Sequence, residues 1–211
     1  MMRKIITFLV FSITIAVSAQ PNHSSYEKGM QKAFGLWQEQ KNSEAIHLFE
    51  RIANAEQDDW LPFYYAAQIE ITSSFGLKDE TLLDTKLKKG QEYLDSAKKL
   101  SKNNSEIIVL QALLHTSWVA FDDATYGRKY SRKISKLYKK AKNLTPSNPR
   151  VVYCQAKWNI GGAKFYGKST EPFCKDLEKS IELFATFELS SPFYPNWGED
   201  RAKNTLANCK L

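Results

Sequence analysis

Hydrophobic residues recur every three or four positions through most of the chain, which is the period of one face of an α-helix. Met30, Phe34 and Trp37 form the first such stripe, after a capping-box spacing at 24–27 that is typical of a helix start. Asn42 is placed to cap a second helix. Further helices are predicted near 59–73, 80–101, 105–121, 126–143, 149–163, 171–189 and 196–209. The pattern predicts an all-α fold of about nine helices.

One part of the helical pattern is repeated along the chain. Residues 97–112 align with 141–156 at an offset of 44, with six of the sixteen positions identical, and a weaker copy lies near 52–67. The second copy contains Asn148 followed by Pro149, which predicts a capped helix start because Pro suits the first helical turn. A repeated helix–turn–helix unit cannot bury its apolar face alone, so neighbouring units are expected to stack.

This repeat resembles the tetratricopeptide repeat (TPR). The resemblance rests on small or apolar residues at the expected places, with Pro146 closing a unit: Ala45, Ala67, Leu94, Ala97, Ala112, Tyr138, Ala141 and Ala156. The stretches NPRVVYCQAKW and SPFYPNWGEDRAKNTLANC, with the Gly161-Gly162 pair, resemble an uncharacterised family of exported bacterial TPR-like proteins. The resemblance implies antiparallel helix pairs stacked as an α-solenoid with a terminal capping helix.

The repeat spacing differs from that of the TPR family. Units here are spaced by 43–45 residues, against about 34 in the family. The additional residues fall near 73–80, 121–128 and 161–171. Insertions at equivalent positions of a solenoid emerge on one edge, so these loops, with Phe75, Tyr126, Phe165 and Tyr166, form a candidate interaction surface if their aromatic rings are exposed.

The N-terminus has the pattern of a secretory signal peptide. Arg3 and Lys4 precede an apolar run at 5–17, and Val17-Ser18-Ala19 offers the small residues that signal peptidase accepts. The alternative, a membrane anchor, is disfavoured because the run is short of the roughly 20 residues that span a bilayer. We predict removal of 1–19 and a single periplasmic or secreted domain over 20–211, without a membrane span in the mature chain.

Export would place three cysteines in an oxidising compartment. Cys174 lies near the start of one predicted helix and Cys209 near the end of the next. If the two helices pack antiparallel, their distances from the intervening loop differ by only about 3 Å. This geometry predicts a Cys174–Cys209 disulfide with Cys154 as a free buried thiol. Three buried thiols are the alternative.

The sequence offers no recognisable catalytic chemistry. His23, His47 and His115 have no spacing typical of metal ligands, and no phosphate-binding, dinucleotide-binding or nucleophile motif occurs. We expect no metal, no cofactor and no enzymatic activity.

The net charge of +7 is concentrated in one stretch of the chain. Residues 20–123 contain 11 basic and 16 acidic residues, whereas 124–170 contain 12 basic and no acidic residues. The basic side chains of one predicted helix surround an apolar stripe: Arg128, Lys129, Arg132, Lys133, Lys136, Lys139 and Lys140. This basic patch is interpreted either as a solvated helix face or as a surface for an acidic protein or the anionic envelope. Nucleic acid is disfavoured, because export argues against it and no aromatic-basic stacking motif occurs.

The TPR resemblance also indicates where a partner would bind. TPR arrays hold peptides on a concave face, and the repeat register carries that face to Tyr64, Gln68, Thr116, Tyr153 and Lys157. Trp118 and Trp158 are expected in the core, since Trp is usually well buried. The leading hypothesis is a non-enzymatic scaffold or adaptor of the bacterial envelope that binds an unidentified protein or peptide in a helical groove. The alternative is a polyanion or anionic membrane-surface binder that acts through residues 128–142.

Overall fold

A computed structural model describes residues 23–209, and this part of the chain contains nine α-helices and no β-strand. The helices are α1 (His23–Gln38), α2 (Asn42–Ala55), α3 (Leu61–Ser74), α4 (Glu80–Leu100), α5 (Ser105–Phe121), α6 (Asp123–Leu144), α7 (Pro149–Phe165), α8 (Glu171–Ala185) and α9 (Glu199–Ala207). The all-α prediction is confirmed. The predicted signal peptide lies outside the described residues.

Polar side chains define several helix starts by accepting hydrogen bonds from otherwise unpaired backbone N–H groups. Asp79 caps α4, Asn104 caps α5 and Asn148 caps α7, so the start predicted at Asn148-Pro149 is confirmed. The cap predicted at Asn42 is wrong, because α2 begins at that residue and Lys41 precedes it without a side-chain cap.

The last two helices are shorter than the sequence pattern predicts. Helix α8 ends at Ala185 rather than near 189, and α9 begins at Glu199 rather than near 196. The intervening residues, 186–198, form an irregular segment with turns and a left-handed Gly198 at a φ of 116°. This 186–198 segment crosses back over earlier helices, since the Tyr65 hydroxyl donates a hydrogen bond to the Phe193 carbonyl at 2.7 Å.

Each helix packs against the next along the chain, and α3, α5 and α7 also pack against one another in sequence. Helix α3 is buried along most of its length, whereas α6 buries only Ile134, Tyr138 and Ala141. The odd-numbered helices α3, α5 and α7 therefore form the inner layer, and α6 lies outside them. Two hydrophobic clusters result, one centred on α1–α5 and one on α5–α9, and Trp197 packs against both.

A buried ion pair joins α5 to α7. The Arg150 Nη2 atom lies 2.7 Å from Glu106 Oε1, and neither side chain is exposed to solvent. Arg150 Nε also donates to the same carboxylate, and Asn148 Nδ2 donates to it at 2.6 Å. The Arg150 guanidinium lies 4.7 Å from the centre of the Phe187 ring, so this residue also holds the 186–198 segment against α7.

The C-terminal hairpin is held by a disulfide between Cys174 and Cys209, and Cys154 is free and buried. This is the pairing that the hairpin geometry predicts. Because α9 packs mainly on α8, the bond adds a covalent link to a helix with few neighbours. Among the described residues, no helix combines the length and the hydrophobicity needed to cross a bilayer.

Candidate binding groove

A groove of about 1540 Å³ lies along α6 and α7. Its other walls come from α5, from the loop between α7 and α8, and from Trp197 and Arg201 near the start of α9. Helices α6 and α7 are consecutive, and the loop that joins them, 145–148, lies at the far end from Gly127 and Gly162, which both line the groove. The groove thus runs along the two helices toward the insertion loops.

The inner surface of the groove is largely apolar and uncharged at neutral pH. Tyr138, Tyr153 and Cys154 line it and are buried. Burial raises the pKa of the Tyr153 hydroxyl and of the Cys154 thiol to about 12 in each case. Both groups therefore stay protonated at physiological pH, and the floor can accommodate an apolar ligand without burying a charge.

The edge of the groove is positively charged. Asp123 is the single acidic residue among those that line the groove. Five exposed cationic side chains line it: Arg128, Arg132, Lys157, Lys168 and Arg201. Within residues 23–209, none of the five forms an ion pair. The arrangement suits a ligand with an apolar body and acidic substituents.

Aromatic rings form one end of the groove. Phe165 and Tyr166 line it with exposed fractions of 68% and 71%, and Phe75 lines it at 40%. Three of the four insertion-loop aromatics are thus brought to one place. The fourth, Tyr126, instead packs on Trp118 at a ring distance of 4.7 Å and donates a hydrogen bond to Glu80.

The structure places three of the five predicted concave-face residues in this groove: Thr116, Tyr153 and Lys157. The other two do not reach it. Tyr64 is completely buried and accepts a hydrogen bond from Trp197 Nε1 at 2.8 Å, and Gln68 is 3% exposed. Both lie on the part of α3 that neighbouring helices and the 186–198 segment cover, so neither side chain lines this groove.

The basic patch divides into two faces of α6. Arg128 and Arg132 line the groove, whereas the five lysines are exposed outside it: Lys129, Lys133, Lys136, Lys139 and Lys140. Lys129 Nζ lies 5.0 Å from the centre of the Tyr130 ring. Of the basic patch, only these two arginines line the groove, and the five lysines form a separate surface.

Sequence reasoning assigned Trp158 to the core and did not identify Trp197 or Arg201. Trp158 is half-buried, lines the groove and donates from Nε1 to the Ser135 hydroxyl at 3.1 Å across α6 and α7. Trp197 and Arg201 reach the groove because α9 folds back onto α7 and α8. Local periodicity carries no signal for that contact.

Among the described residues, no cluster of His, Cys, Asp and Glu has metal-binding geometry.

Comparison of the sequence with protein-family models and with curated proteins gives no match. Among solved structures, the fold is similar to that of the HusA haemophore from Porphyromonas gingivalis, with a TM-score of 0.78 and 25% sequence identity. The similarity covers 90% of this chain and 96% of that chain. It therefore extends over most of this chain.

Proposed function

We propose that this chain is a non-enzymatic binding protein of the bacterial envelope and that the groove along α6 and α7 binds haem. The observation that carries the proposal is an apolar, aromatic groove with exposed cationic side chains at its edge. It occurs in a fold similar to that of a protein described as a haemophore. Haem combines a flat apolar ring with carboxylate groups, which is the chemistry that such a groove complements.

The size of the groove supports a large ligand. Pockets for small molecules usually enclose about 300–1,000 Å³, and this one is larger, at about 1540 Å³. The side chains of Trp158, Phe165 and Tyr166 supply broad apolar surfaces on which a planar ring can stack. Exposed aromatic side chains of this kind favour ligand binding because covering them releases ordered water.

The charges at the edge would orient the ligand. Arg128 and Arg132 lie one turn apart on α6, so both guanidinium groups reach the same side of the groove. Arg binds carboxylates through parallel hydrogen bonds as well as through charge. We propose that these two arginines bind the carboxylates while the ring lies on the aromatic surface.

An extended peptide is the second candidate occupant. The TPR resemblance implies it, and the positions at Thr116, Tyr153 and Lys157 line the groove. The exposed lysines of α6 form a third candidate surface, for an acidic protein or the anionic envelope. A peptide would compete with haem for the groove, whereas an anionic surface bound by the lysines would not.

The test is a titration of the mature protein with haemin, followed by the haemin absorbance and by quenching of tryptophan fluorescence. The groove variant combines Arg128→Glu and Arg132→Glu, and the control combines Lys136→Glu and Lys140→Glu. Both variants change the charge of the same helix equally, but only the first touches the groove.

We expect the groove variant to bind haemin at least about tenfold more weakly, because reversal replaces attraction by repulsion at the carboxylates. The control should stay within about twofold of the original protein. Equal losses in both variants would show a nonspecific charge effect and contradict the proposal. Tight binding of an envelope peptide with no response to haemin would favour the peptide instead.

A further inference from the structure

Glycines inside helices divide into two groups by their surroundings. Gly is among the least favourable residues in a helix interior, because its backbone loses the most freedom on folding. A Cβ added at Gly29 would lie 3.2 Å from Ile52 Cδ1, and one at Gly90 would lie 3.1 Å from Ile71 Cγ1. Close helix packing therefore accounts for these two glycines.

The other helical glycines have no such explanation. Apart from the neighbouring residues and the nearby backbone of its own helix, a Cβ added at Gly35, Gly127, Gly161 or Gly162 would have no atom within 4 Å, and each residue lies within a helix. Three of these four line the groove, Gly127 from α6 and the Gly161-Gly162 pair from α7. The fold itself does not require Gly at these positions, because alanine would fit and would strengthen both helices.

We infer that Gly127, Gly161 and Gly162 select a flat ligand, because the absence of side chains at these positions keeps a narrow slot open between α6 and α7. A flat ring can approach a helix backbone closely only where no Cβ projects from it. Glycines on both helices leave room for the edge of a ring, which larger side chains at these positions would exclude. The inference rests on the proposed function and extends it, since it assigns discrimination between flat and bulky ligands to three glycine positions.

The inference predicts opposite effects of one substitution on stability and on binding. Gly127 and Gly162 are changed singly to Ala and to Leu, and Gly35 on α1 receives the same changes as the matched control. Gly35 also lies in a helix with free space at its Cβ position, but it does not line the groove. The melting temperature without ligand and the haemin dissociation constant are measured for every variant.

We expect each alanine variant to melt about 2–4 °C higher than the original protein, because Ala favours the helix. Leucine at Gly127 or Gly162 should weaken haemin binding at least about tenfold, because its side chain fills the slot. Leucine at Gly35 should leave the dissociation constant within about twofold.

The possible results separate this inference from the proposed function. If the original protein and the leucine variants at Gly127 and Gly162 bind haemin equally tightly, the inference of a slot is wrong and the proposed function stands. If alanine at Gly127 or Gly162 lowers the melting temperature, the glycines serve the fold and the slot is wrong. If the original protein does not bind haemin, the proposed function fails and the slot fails with it.

Discussion

Loss of one partner of the buried Glu106–Arg150 pair should destabilise the protein strongly. The perturbation is Arg150→Met, which removes the charge and keeps an unbranched, apolar side chain at the site. Both partners have no exposed surface, and the guanidinium makes three contacts of 2.7–3.0 Å to the carboxylate. In the variant, Asn148 remains as the donor to a carboxylate buried between α5 and α7.

The expected loss is about 3–5 kcal/mol in the free energy of unfolding, the usual cost of leaving one charge of a buried pair uncompensated. The Phe187 ring also loses its cation–π partner. For a chain of this size, a loss of this magnitude lowers the melting temperature by about 6–20 °C. The lost contact would also loosen the 186–198 segment, which carries Trp197 to the groove.

The assay is urea unfolding followed by circular dichroism at the helical band, on Arg150→Met, Glu106→Met and the double variant. Since the double variant leaves no charge unpaired, it should lose less than the sum of the single variants. The exposed Asp84–Lys88 pair on α4 provides the control, and Lys88→Met should cost less than about 0.5 kcal/mol. A loss in Arg150→Met no larger than the control, or strict additivity in the double variant, would refute the reasoning.

Reduction of the Cys174–Cys209 bond, which closes a separation of 35 residues, should lower the free energy of unfolding by about 3–4 kcal/mol. Melting temperatures with and without reductant measure this, and a double Cys→Ala variant that shifts equally on adding reductant would contradict it. Burial and, second, the charge of Lys133 lower the pKa of His115 from 6.5 to about 4. The folded state therefore favours neutral His115, and the stability that this contributes is fully present above about pH 6.5 and is lost as pH falls toward 4. Thermal melts between pH 7 and 4 should show a shallower decline for His115→Gln, and an unchanged slope would show that another group titrates.

Much of the fold could be predicted from the sequence because its determinants are local. Helical periodicity, the Asn148-Pro149 start and the hairpin that joins Cys174 to Cys209 depend on residues that are neighbours along the chain or in one helix pair. The insertion-loop aromatics were also identified in this way, and three of them reach the groove. The signal is sufficient because 3.6-residue periodicity and capping act over a few turns.

The candidate site was predicted only in part, because contacts between distant residues decide it. The repeat register predicts Tyr64 on a concave face. In the structure, Trp197, 133 residues later, packs on Tyr64 and donates a hydrogen bond to its hydroxyl. Arg150 counts toward the basic stretch, yet it is buried against Glu106, 44 residues earlier, and contributes no surface charge.

The sequence by itself therefore determined the helices, their pairing and the existence of a basic stretch, since these follow from local spacing and composition. Only the tertiary structure decided that Arg128 and Arg132 line the groove while the neighbouring lysines lie outside it. It alone brought Arg201 of α9 to the same groove. The physical reason is that a groove forms between helices, and its lining depends on how they pack rather than on any one helix's pattern.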